Sequence, residues 1–151
     1  MRTNPRGRVK GWLLLTTLFL GAGALGAIRE SHFRTDIAWS RSFEAGLAQA
    51  RRNREPLLIS FQAPDCGWCE KLDAETFTDP QMIEMSRHFV CVRVDSEVDP
   101  AIVARYAVAA FPTTLLLDPQ GRVLARIPGY LPADRFAPWL RAALSAGARR
   151  P

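Results

Sequence analysis

The sequence predicts an α/β domain with a mixed central sheet of about four to five strands flanked by helices, preceded by an N-terminal signal or anchor segment. Three observations carry that reading. Short, almost uninterrupted apolar runs recur, as in strands buried on both faces. Between them lie segments with helical spacing, two of them opened by an Asp-Pro pair. The last two runs flank a tight turn, so they pair as a hairpin rather than through a crossover helix.

In chain order, Ser42 caps a helix with Phe43, Leu47 and Ala50 at i, i+4 and i+7, which ends before Pro56. Gly46 shares that face, where it costs about 1 kcal/mol of helix propensity relative to alanine but permits close packing. Leu57 to Phe61 is the first strand of the core, Gln62-Ala63-Pro64-Asp65 a loop, and Cys66 to about Ala74 a helical segment. Asp79-Pro80 caps a short helix through Arg87. Phe89 to Val94 is the next strand, and Asp99-Pro100 opens a helix through about Val108. Thr113 to Leu117, the turn Pro119-Gln120-Gly121, and Arg122 to Ile127 make the hairpin, its last strand alternating as an edge strand does. Phe136, Trp139, Leu140, Ala143 and Leu144 form the stripe of a closing helix, in which Pro138 must lie in the first turn or cause a kink. Trp39 and Trp139 are expected in the core.

A length of 151 residues allows one domain and a short appendage, and 48% apolar with 23% charged residues excludes a wholly disordered or multi-span chain. Residues 1–10 are basic and free of acids, and residues 11–28 carry no charge. That is the pattern of an export signal, with small residues suited to cleavage near 24–27. An uncleaved membrane anchor is the alternative; the glycines at 21, 23 and 26 favour cleavage. The expected organisation is a signal peptide or anchor at 1–27, a linker at 28–38, the domain at 39–147 and a tail at 148–151. Either form of the leader puts the domain in the periplasm or elsewhere on the extracytoplasmic side.

The formal charge of +5 does not point to nucleic acid, because four of the basic residues stand in the first ten positions. Without residues 1–27, 16 basic residues face 15 acidic ones, and the cluster Arg51, Arg52 and Arg54 falls at a solvated helix end. No nucleic-acid partner is expected.

Chemistry enters at Cys66-Gly67-Trp68-Cys69, which follows a buried strand and opens a helix, where backbone N–H groups and the helix dipole favour a thiolate. Cys66, at the exposed leading end, is the better attacking thiol, and Cys69, about one turn further in, can resolve a mixed disulfide. A lone CxxC also resembles half a zinc site. The further ligands would have to come from Cys91, His32 and His88; Cys91 lies in an apolar strand and no second CxxC exists, so no metal or other cofactor is expected. Cys91 reads as a small buried hydrophobe, with regulatory oxidation as the alternative. Phe111-Pro112-Thr113 opens a strand, where a proline forfeits a ladder hydrogen bond. A cis Phe111–Pro112 bond would turn the chain and leave backbone groups free to pair with an extended substrate; a trans proline at a strand entrance is the alternative. Trp68 is a substrate contact or packs on its helix surface; Phe111 is expected to border the substrate groove, and Tyr130 either borders it or packs in the turn.

With Leu57 to Phe61 before the CxxC, Phe89 to Asp95, Phe111-Pro112-Thr113-Thr114, Gly129 after the hairpin and the stretch Thr76-Phe77-Thr78-Asp79-Pro80, residues 37–146 resemble the thioredoxin superfamily. The resemblance is closest to its exported single-domain members, similar to the periplasmic reductase domain of the DsbD type. It implies a redox-active disulfide between Cys66 and Cys69, with Cys66 attacking, Cys69 resolving and a cis Pro112 facing them; with Trp68 and Phe111, Pro112 makes the expected substrate-binding set. It also implies a thiol:disulfide oxidoreductase that acts on exported cysteine-containing proteins, draws electrons from a membrane thiol-disulfide transporter, needs no cofactor and works as a monomer. Two positions depart from the family. Ser60 stands where thioredoxin has a buried aspartate, with Asp65 and Glu70 as possible substitutes or plain solvated acids, and Gly67-Trp68 replaces Gly-Pro. The acids flanking the pair oppose the helix terminus and favour a reductant over a strong oxidant. The rivals are an oxidase or isomerase and, from another class, a redox-inert binding module whose cysteines form a structural disulfide.

Overall fold

The computed structural model describes residues 36–147. The expected leader, most of the linker, His32 and the tail lie outside these residues. Within them runs a five-stranded mixed sheet: β1 (Trp39–Ser40), β2 (Leu57–Gln62), β3 (Val90–Asp95), β4 (Thr113–Leu117) and β5 (Val123–Pro128). The spatial order is β1-β3-β2-β4-β5, with β1 and β2 parallel to β3, and β4 antiparallel to both β2 and β5.

The helices are α1 (Phe43–Asn53), α2 (Gly67–Lys71), α3 (Pro80–Ser86), α4 (Pro100–Arg105) and α5 (Ala133–Gly147). Ser42 caps α1 by accepting the Ala45 N–H at 3.2 Å, and Asp79 caps α3 by accepting from Gln81 and Met82. The strands alternate their side chains between two cores. Ile59, Phe61, Val92 and Leu115 pack with Phe43 and Leu47 of α1, while Leu58, Cys91, Leu116 and Ile127 pack with Leu72, Met82, Phe136 and Leu140 on the other face. Burial of each such side chain contributes roughly 1.5–3 kcal/mol.

Gly46 lets α1 lie directly on β3, since a Cβ at this position would collide with Val92 Cγ2. The sequence expectation of a close approach there is met.

Several elements differ from expectation. β1 is a two-residue strand that had no place in the sequence reading, and Ile37, expected in the linker, is buried. α4 stops at Arg105 rather than near Val108, because Ala107 takes a left-handed backbone at φ 48° that no α-helix continues through. Asp99 precedes its Pro100 but makes no side-chain cap bond. The segment from Cys66 is α-helical only to Lys71 and then widens into a π turn over Leu72–Thr76, closed by the Phe77 N–H donating to the Leu72 carbonyl at 3.1 Å. The hairpin's second strand is displaced by one residue, to Val123–Pro128. Pro138 lies beyond the first turn of α5, inside the helix.

Candidate active site

β2 delivers the chain to the site. It ends at Gln62, and after three loop residues Cys66 takes an extended conformation (φ −97°, ψ 92°) as the N-cap of α2. Asp65 reaches that cap through a left-handed backbone at φ 52°, a conformation aspartate tolerates better than most side chains. The Cys66 carbonyl accepts from Cys69 and Glu70, and its sulfur accepts the Cys69 N–H at 3.2 Å.

Cys66 and Cys69 are joined in a disulfide with their Cα atoms 5.2 Å apart. The two sulfurs are unequal. Cys66 is half-buried at the leading end, whereas Cys69 is buried to 4% exposure. A thiol arriving from solvent therefore meets Cys66, and Cys69 faces inward.

β4 starts at the same end of the sheet. Thr113 pairs with Phe61 of β2 and with Pro128 of β5, so Pro112 stands one residue beyond the last pair, level with the loop that carries Cys66. The Phe111–Pro112 peptide is cis, and the Pro112 carbonyl accepts the Gly129 N–H at 2.7 Å. Gly129 takes φ 81°, a turn conformation that suits glycine. Pro112 is buried, and Phe111 packs half-buried against the core on the α1 face.

The turn after Gly129 brings Tyr130 against Trp68, with ring centroids 5.9 Å apart. Trp68 remains 59% exposed. Lys71 Nζ lies 5.5 Å from the Trp68 ring and 4.9 Å from the Tyr130 ring. The Tyr130 hydroxyl donates to Glu75 at 2.6 Å, and that hydrogen bond is the first cause holding its proton above the ordinary range. Thr76 ties the π turn to the same loop by donating to the Leu131 carbonyl at 2.8 Å. The result is an aromatic and cationic shelf beside the disulfide. Sequence reasoning reached Trp68 and Tyr130 but not Lys71 or Glu75, which lie one turn apart on a helix whose contact with the hairpin is purely tertiary.

A polar cluster lies behind the pair. Asp73, four residues after Cys69, accepts from Gln62 at 2.9 Å and from Arg93 at 2.8 Å. The Arg93 guanidinium also stacks over Trp39 at 4.7 Å. Burial lowers the Arg93 proton affinity while Asp73 raises it and Arg41 lowers it. Asp65 and Glu70, by contrast, are exposed. The signal that could have found the cluster is Arg93 itself, a cation inside the apolar run Val90-Cys91-Val92-Arg93-Val94, which needs a partner.

Cys91 stands apart. It is buried in β3, its thiol 3.9 Å from the Ser86 carbonyl, and burial pushes that thiol up to about 12. Among the described residues no group of three His, Cys, Asp or Glu side chains is placed to hold a metal ion.

A half-exposed sulfur at a helix start, disulfide-bonded to a buried one and level with a cis proline, defines a dithiol–disulfide site on a mixed α/β sheet. The model of the thioredoxin-like domain family matches residues 43–144, and the chain belongs to that family. It is similar to the thiol:disulfide interchange protein DsbD of Escherichia coli (strain K12), 25% identical over an alignment 154 positions long, gaps included, that covers 87% of this chain and 27% of that protein. It is likewise similar to DsbD of Haemophilus influenzae (strain PittEE), 29% identical over 91 residues covering 56% of this chain and 16% of that one. The chain thus spans about a sixth to a quarter of the length of these relatives. Among solved structures, the DsbH oxidoreductase superposes with a TM-score of 0.61 at 21% identity, covering 76% of this chain and 87% of that one, which shows the same fold. A thioredoxin from Thermus thermophilus does so with a TM-score of 0.67 at 22% identity, covering 74% and 90%.

Proposed function

We propose that this chain is an exported thiol:disulfide oxidoreductase that reduces disulfides of other extracytoplasmic proteins. In the reduced enzyme the Cys66 thiolate attacks a partner disulfide, one partner sulfur leaves as a thiolate, and a mixed disulfide forms at Cys66. Cys69 then attacks Cys66, restoring the internal disulfide and releasing the second partner sulfur. The observation that carries this reading is the inequality of the two sulfurs, one offered to solvent and one held inside.

Trp68, Phe111 and Pro112 serve as substrate contacts: Trp68 by its exposed ring, Phe111 by its backbone groups beyond the end of β4, and Pro112 by the cis bond that turns them outward. Asp65 and Glu70 weigh against an unusually stable thiolate, which supports the reducing direction. Outside the cytoplasm such a reductant needs an electron donor, and a membrane thiol-disulfide transporter is the donor that similarity to the interchange protein DsbD suggests. The leader at 1–27 delivers the domain to the periplasm, cleaved or anchored, where it works as a monomer without a cofactor.

A trapping experiment tests the cycle. Cys69→Ala should accumulate dithiothreitol-sensitive mixed disulfides with exported proteins, and Cys66→Ala should accumulate none. Equal, thiol-independent capture by both variants would instead support a binding module with a structural disulfide.

A further inference from the structure

We propose that Ser60, Thr114 and Arg93 bind ordered water beneath Cys69 and form a hydroxyl-lined exit for the resolving thiol's proton; this rests on the dithiol cycle above. Ser60 Oγ, Thr114 Oγ1 and Arg93 Nε are buried and have no hydrogen-bond partner among the described residues. Ser60 and Thr114 are both 0% exposed. Buried hydroxyls almost always find a partner, so two unpaired ones together point to something that fits between them.

The three residues belong to one row. Ser60 is in register with Arg93 on β3 and with Thr114 on β4. Two residues further from the site on β2 and β4, Leu58 and Leu116 pack with Leu72, which follows α2. The helical run travels away from the site end while β2 travels toward it. One turn back from Leu72 is Cys69, and two residues nearer the site than Leu58 and Leu116 are Ser60 and Thr114, so the same step toward the site leads from the apolar layer to the thiol and to the hydroxyls. At its far end the row opens, because Arg93 and Gln62 line a groove of about 320 Å³ together with Arg41, Asp95, Val98 and Asp99.

Water in a buried site needs two to four polar partners, and the two hydroxyls with the Arg93 Nε–H supply three. A hydroxyl both donates and accepts, so it can take a proton on one side while releasing one on the other. In the step assigned to the row, the Cys69 S–H proton passes to the row water as another proton leaves to bulk water in the groove. The Cys69 thiolate bonds to Cys66, and the partner sulfur departs with the electron pair of the broken S–S bond. It takes a proton from solvent. The charged or titratable groups around Cys69 are Cys66 and Asp73 on its own helical run, Glu70 and Lys71 on the exposed side, Asp65 in the preceding loop and Arg93 from β3; β2 and β4 contribute only neutral groups, the two hydroxyls and the Gln62 amide.

The test reacts reduced full-length protein with excess Ellman's reagent and follows thionitrobenzoate release, fast from attack by Cys66 and then from resolution by Cys69. In Ser60→Ala/Thr114→Val the first release should be unchanged and the second slowed about tenfold or more near pH 7, converging with the wild type in alkali where hydroxide takes the proton. A second release unchanged at every pH overturns the proposal and leaves the dithiol cycle standing. Absence of a second release in the wild type refutes the cycle and the proposal together. Thermal unfolding gives a readout independent of exchange: a dry row predicts a higher Tm for the double variant, which would overturn the water site, and a hydrated row predicts an equal or lower one. If the double variant does not fold, the near-isosteric Thr114→Val alone carries both comparisons.

Discussion

Replacing Cys91 by valine should remove an alkaline loss of stability that the wild type suffers. The Cys91 thiol sits 4% exposed in β3, and burial pushes it up from its ordinary 9.0 to about 12. The folded state therefore holds a neutral thiol where the unfolded chain ionises. Stability from this source is fully present below about pH 9 and is lost as the pH rises toward 12. With a tenfold change in the folding equilibrium per pH unit, the loss reaches about 1 kcal/mol at pH 10, about 3 at pH 11 and about 4 in all. Urea unfolding of oxidised wild type and Cys91→Val between pH 8 and 11 reads it directly. The offset between the two at pH 8 reports packing, and only its change with pH reports the thiol. Parallel stability curves across that range would refute the reasoning. The same burial predicts that Cys91 resists alkylation in the folded protein and so stays out of disulfide exchange at the site.

Three further outcomes follow from the packing and the site. Gly46→Ala gains about 1 kcal/mol of helix propensity but drives a methyl into Val92 Cγ2, and overpacking of about 1–3 kcal/mol should win, lowering the urea midpoint; combining it with Val92→Ala should cost less than the sum of the two. For Asp118, burial pulls the carboxyl up, but the Arg122 N–H, its guanidinium and the Gln120 N–H outweigh this and hold it below the ordinary 3.8. Asp118→Asn should cost about 1–2 kcal/mol near neutral pH, and the wild type's advantage should vanish in unfolding measurements as pH falls through the depressed value. Trp68→Ala should lower kcat/KM toward a protein disulfide by about tenfold, as loss of an exposed aromatic anchor does, while scarcely changing the rate with a small disulfide.

What the sequence made legible was what local chemistry sets. The cap at Ser42, the run Leu57 to Phe61, the strand Thr113 to Leu117 and the cap at Asp79 lie where residue type alone places them, and the CxxC announces its own helix start. The elements that differed depend on partners distant in sequence. β1 is two residues held by the edge of β3 and has no periodicity of its own. α4 is cut short by the backbone at Ala107, an alanine in a conformation its side chain does not favour. Within the site, Trp68 and Pro112 were legible as motifs, whereas Asp73, Gln62 and Arg93 become a cluster only once β2, β3 and the helical run after Cys69 are superposed. The row of Ser60, Arg93 and Thr114 is a product of register, which a one-residue slip would dissolve.

The equilibrium reduction potential of the Cys66–Cys69 pair, titrated against dithiothreitol and glutathione, tests the central claim most directly. A reductase predicts a value around −270 mV. A value around −120 mV would contradict that claim in favour of a disulfide donor, and a pair still oxidised well below about −300 mV would make the disulfide structural.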